Sequence, residues 1–97
     1  MSEERDPRQL ELDFFRRQQA DMLVESILAL NQKLLNEYMK KLESESWQVR
    51  AKSARGLGSL KSVAAPAIPS LEKRLADKDH RVRKAAALAL AAIRSAS

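Results

Sequence analysis

The chain has no cysteine, which excludes disulfides and thiolate metal sites. Glycine occurs twice and proline three times, and runs of β-branched residues are missing. The residues that remain, chiefly Ala, Leu, Lys, Arg, Glu and Gln, lose least on entering a helix. Aromatics are limited to Phe14, Phe15, Tyr38 and Trp47. No apolar run approaches the ~18 residues of a membrane span. The opening Met1-Ser2-Glu3-Glu4-Arg5-Asp6 is polar and acidic, unlike a secretory signal, so the expectation is a cytoplasmic protein. At 97 residues the chain has room for one domain.

What charge there is divides unevenly. Residues 1–45 hold seven Lys/Arg against ten Asp/Glu, a net of −3, and residues 46–97 hold eleven against three, a net of +8. Any acidic partner is therefore expected at the second half.

The chain also repeats itself with a period of 33 residues. Leu42 falls on Leu75, Val49 on Val82, Arg50 on Arg83, Ala54 on Ala87 and Leu57 on Leu90. Each unit reads as two helices. In the second, Pro66-Ala67-Ile68-Pro69 opens helix A, because a first turn tolerates proline's missing donor. Ile68, Leu71 and Leu75 form its apolar stripe. Ala76-Asp77-Lys78 makes the turn, Asp79 is the expected N-cap, and helix B runs from about His80 to about Arg94. In the first unit helix A ends near Leu42, Ser46 caps, and helix B runs from about Trp47 to Leu60. Gly56 and Gly58 lie inside that helix, where small residues let two helix backbones approach; the alternative is early fraying.

The stretch from Ala65 to Leu71, followed by Leu75-Ala76-Asp77-Lys78-Asp79-His80-Arg81-Val82-Arg83 and an alanine-rich helix, resembles the HEAT family, particularly its short phycobilisome-lyase-like form. The first unit keeps Val49-Arg50 but has Glu43-Ser44-Glu45-Ser46 in the turn and lacks the proline pair. The resemblance covers about residues 34–94 and implies an all-α fold, a short α-solenoid of two helical hairpins. Position by position it is specific for fold and nearly silent on function.

Residues 8–43 contain no Gly or Pro. They read either as one long helix or as two helices broken near Asn31, and the 33-residue register favours the break. The expected organisation within a single domain is then a flexible N-terminus at 1–12, a capping helix at 13–33, one HEAT-like unit at 34–64 and a second at 65–97.

Arg50 and Arg83 are read as structural, each paired with an acidic residue of a neighbouring turn, with Asp77, Asp79, Glu43 and Glu45 at hand. Val49, Val82, Leu57 and Leu90 are read as the repeated packing positions. Partner binding is assigned to Lys52, Arg55, Arg81 and Lys84, together with Ala85, Leu88 and Ala92, which share one helical face. Helix B of the second unit is apolar all round over residues 85–93, so this face is expected to be covered, by a second chain in a dimer or by a further repeat of a longer HEAT protein. Trp47 reads as packing against the N-terminal helix or as a binding anchor. The lone His80 has no partner for acid–base work, and no phosphate loop or metal-ligand spacing occurs. The sequence thus points to a non-enzymatic module without cofactor that binds a macromolecule, foremost a protein; the alternative is DNA or RNA bound by the basic residues.

Overall fold

A computed structural model describes residues 7–96. Helix α1 covers Pro7–Lys41, α2 Trp47–Ser59, α3 Ile68–Arg74 and α4 His80–Ser95, with a 3-10 segment at Lys61–Ala67 between α2 and α3. The chain divides into two units, residues 1–30 and 31–97.

The expected break near Asn31 does not occur. Between Arg8 and Glu43 no proline removes a backbone donor and no glycine opens a left-handed turn, and Gln32 Nε2 donates to Asn36 Oδ1 at 3.1 Å, an i,i+4 pair just past the candidate site. Helix A of the first hairpin and the expected capping helix are therefore one helix. Of the expected flexible N-terminus, residues 1–6 lie outside the described residues and 7–12 are helical. The apolar side chains of the first unit, from Leu12 through Phe14, Met22, Leu23 and Ile27 to Leu30, are all at least half exposed.

The second unit holds the core. Leu35 comes from α1 and Leu42 from the turn just after it, Ala51, Ala54 and Leu57 from α2, Leu71 from α3, and Val82, Ala86, Leu90 and Ile93 from α4. Their spacing on each helix is that of a single buried stripe. α4 is apolar all round over residues 85–93 in sequence, yet it buries only the side bearing Val82, Ala85, Ala86, Ala89, Leu90 and Ile93. Ala87, Leu88 and Ala91 remain exposed.

Local signals account for the helix ends. Asp79 caps α4, accepting from the Arg81 backbone N–H at 2.8 Å. Ser46 occupies the same position before α2 but does not cap it. Its hydroxyl instead donates to Gln48 Oε1 at 2.9 Å. Helix α2 gives way to the 3-10 segment at Lys61, whose φ of 53° is left-handed. Inside α2, Gly58 lies against α4: a Cβ there would sit 3.0 Å from Ala89 Cα. Gly56 faces the Tyr38 ring, whose nearest atom would be 2.5 Å from an added Cβ. Gly58 thus marks a close approach to the backbone of α4, whereas Gly56 faces the tip of a side chain that an added Cβ would have to displace.

Candidate interaction surface

The turn between α3 and α4 is held by a buried charge cluster. Asp77 receives two bonds from Arg50, Nε to Oδ2 at 2.9 Å and Nη2 to Oδ1 at 3.0 Å. The Asp79 backbone N–H donates to Asp77 Oδ1 at 2.9 Å, and Arg74 Nη1 reaches Oδ2 at 3.3 Å. Burial raises the Asp77 pKa, but the bonds from Arg50 and Asp79 and the charges of Arg50 and Arg74 outweigh it and hold the carboxyl below its ordinary value. Arg50 completes its bonding through Nη1 to the carbonyls of Ser44 at 2.8 Å and Glu45 at 2.9 Å, so one side chain ties the turns of both hairpins together. Nε of Arg74 is buried with no hydrogen-bond partner.

Arg50 is thus paired with the turn residue Asp77. Arg83 is exposed and donates to the Asp77 carbonyl through Nη1 at 2.6 Å, and it meets no carboxylate among the described residues. Val82, Leu57 and Leu90 are buried, whereas Val49 is half-buried on the rim of a shallow depression with Glu37, Lys40, Lys41 and Ser44.

Of the residues assigned to partner binding, five line one groove of about 350 Å³ between α2 and α4: Arg55, Arg81, Lys84, Ala85 and Leu88. A smaller one of about 180 Å³ shares Arg55, Ala85 and Leu88 and adds Gly58, Ala89 and Ala92. Lys52 is exposed on α2 and lines neither. The floor is small and apolar because Gly58 and Ala89 let the helices close up, and the rim is basic. Ala85 is buried within this chain, at the edge of the face that it shares with Leu88 and Ala92, and Leu88 at 62% exposure is what stands open.

Arg81 is fixed in place. Its guanidinium lies 3.3 Å from the centroid of the Trp47 ring and pairs with Asp79, Nη2 to Oδ2 at 2.9 Å. The bond from Arg81, against some desolvation, holds the Asp79 carboxyl well below the ordinary range, and the same contact raises the Arg81 pKa. Trp47, read in the sequence as packing against the N-terminal helix or as an anchor, is thus a half-buried platform for a cation of α4. Sequence alone misses this pair because its members are 34 positions apart; the one signal is the near-repeat spacing, which sets both at the start of successive B helices.

Among the described residues no group of His, Cys, Asp or Glu is arranged to hold a metal ion, and no helix is long and apolar enough to cross a membrane. Neither the curated proteins nor the solved structures include a match to this chain. The family of HEAT repeats matches residues 33–97, the stretch that contains both hairpins and the groove. The chain belongs to the HEAT repeat family.

Proposed function

We propose that this protein is a non-enzymatic binding module that holds an acidic segment of a protein partner in the groove between α2 and α4. HEAT repeats are commonly interaction or scaffold modules, which supports the general reading. The observation that carries the finer one is the composition of the groove: three cations, Arg55, Arg81 and Lys84, around an apolar floor with Leu88 exposed beside them. Carboxylates would meet the rim while an apolar side chain covers Leu88, the division of labour found at protein interfaces. Nucleic acid would use the same cations through its phosphates but has no use for the apolar floor.

The test is capture from native lysate with and without nuclease, comparing the wild type with Arg55→Glu/Lys84→Glu. A partner held by the wild type, lost by the variant and indifferent to nuclease supports the reading. Capture that vanishes with nuclease transfers the surface to nucleic acid. Capture unaffected by the charge reversals removes the groove from the account.

A further inference from the structure

From Leu12 to Leu30 the large apolar side chains of α1 are at least half exposed. A helix in water gains most of its stability from packing one face, so this stretch has much to gain from cover. Its charges are sorted by face. Glu11, Phe14, Gln18, Asp21, Glu25 and Leu28 follow one another at intervals of three and four residues, which sets them in one exposed stripe along the helix. The stripe holds three carboxylates and no cation, and Arg8, Arg16 and Arg17 fall on other faces.

The groove between α2 and α4 carries the opposite pattern. Arg81, Lys84 and Leu88 stand at intervals of three and four residues along its α4 edge, all exposed, and Arg55 faces them from α2. Two cations are thus followed by a leucine. On α1, Asp21, Glu25 and Leu28 place two carboxylates and then a leucine over the same seven-residue interval. That interval rises about 10.5 Å on either helix. Laid side by side in the same direction, Asp21 meets Arg81, Glu25 meets Lys84 and Leu28 covers Leu88, with no like charges opposed.

The stripe is supplied by another copy of the chain, because α1 is one helix from Pro7 to Lys41 with no glycine or proline past its first residue at which to fold back. It does not pair with its own kind. Two such stripes face to face would oppose carboxylate to carboxylate.

We infer that the groove takes the α1 helix of a second copy of this chain, with Asp21 and Glu25 on its basic rim and Leu28 over Leu88. The inference rests on the reading of the groove as a site for acidic protein segments, and it names the segment. Each copy offers one stripe and one groove, so exchange closes a dimer when it is reciprocal and extends a chain when it is not.

A charge swap tests it, read by sedimentation of the full chain over a range of concentrations with helical circular dichroism as the control for folding. The wild type is expected to associate reversibly, and less in high salt. Asp21→Lys/Glu25→Lys reverses the stripe and Arg55→Glu/Lys84→Glu the groove, all at exposed positions; Arg81 is left in place because Trp47 and Asp79 hold it. Each double variant alone is expected to weaken association by roughly tenfold or more, because it sets like charges against each other. Mixing the two variants is expected to restore association, since each stripe then finds a groove of opposite sign. A monomeric wild type overturns the inference. So does association that survives the groove reversal, which would pair α1 with itself, and so does a mixture no more associated than its components. The lysate capture reports on the groove independently: a partner lost with Arg55→Glu/Lys84→Glu, while the wild type alone is monomeric, leaves the groove reading standing and removes only this occupant.

Discussion

Arg50 on α2 and Asp77, 27 residues later in the α3–α4 turn, face each other through two parallel hydrogen bonds of 2.9 and 3.0 Å, both side chains almost fully buried. Buried pairs gain little over an apolar replacement but cost much when one member is removed. Here the pair also sets the turns of two hairpins relative to each other, since the same guanidinium holds two carbonyls of the first turn. Arg50→Ala leaves Asp77 buried beside a vacancy and is expected to cost about 3–5 kcal/mol. Arg83→Ala, losing one exposed bond to a carbonyl, is expected to cost about 1 kcal/mol or less. Urea denaturation of the two variants checks the order; equal losses would refute the asymmetry between the two repeat positions.

Acid should act through Asp77. Its pKa in the folded chain lies below the ordinary value of about 4 that it regains on unfolding. Its contribution is then complete above that ordinary value and is lost as pH falls through the folded one. Asp77→Asn is expected to be less stable than wild type at pH 7, with the gap closing below about pH 4. Parallel stability curves down to pH 2 would show that the carboxylate charge does not matter.

The contact of Gly58 with Ala89 makes a steric prediction. Helix propensity favours Gly58→Ala by about 1 kcal/mol, but the new methyl meets the backbone of α4 rather than a side-chain tip. Overpacking of this kind costs about 1–3 kcal/mol, so the net effect is expected to be destabilising. Ala89→Gly in the same chain should recover part of the loss by relieving the contact with its Cβ, a coupling that a double-mutant cycle measures. Additive effects would place the strain elsewhere.

Lys61 holds a left-handed backbone at the end of α2, where a side chain costs about 1–2 kcal/mol. Lys61→Gly removes that cost while giving back some chain entropy, and is expected to raise stability by about 0.5–1 kcal/mol. A lowered denaturation midpoint would mean that the lysine makes a compensating contact.

The hairpins were legible in the sequence because their cues are local: Asp79 caps α4 as its position implies, Gly58 marks a close approach, and Leu57, Val82 and Leu90 fall at repeated core positions. Helix A of the second hairpin was legible only in part. Leu75, expected in its apolar stripe, lies at the C-cap just past the last residue of α3 and is 43% exposed. The break near Asn31 was misread because repeat register was given more weight than the absence of any Gly or Pro from residue 8 to 43. The difference between Arg50 and Arg83 could not be read from residue type, since both are arginines at one repeat position and only Arg50 meets a carboxylate among the described residues. Five of the seven assigned partner residues meet in one groove, yet Ala85 is its floor rather than an open face.

Trp47 is the single tryptophan, and the guanidinium over its ring belongs to a residue of the groove rim. Its fluorescence therefore reports on Arg81 without a label. A carboxylate entering the groove competes with Asp79 for that guanidinium and changes the environment of the indole. Titrating an acidic amphipathic helical peptide is expected to shift Trp47 emission saturably, with an affinity that falls as salt screens the rim charges. Arg81→Ala alters the starting emission and should abolish the response. Arg55→Glu, which leaves the Arg81–Trp47 contact in place, should keep the starting emission and weaken the binding. An emission change that persists with Arg81→Ala would detach the signal from the groove, and a flat titration of the wild type would count against acidic helices as its occupants.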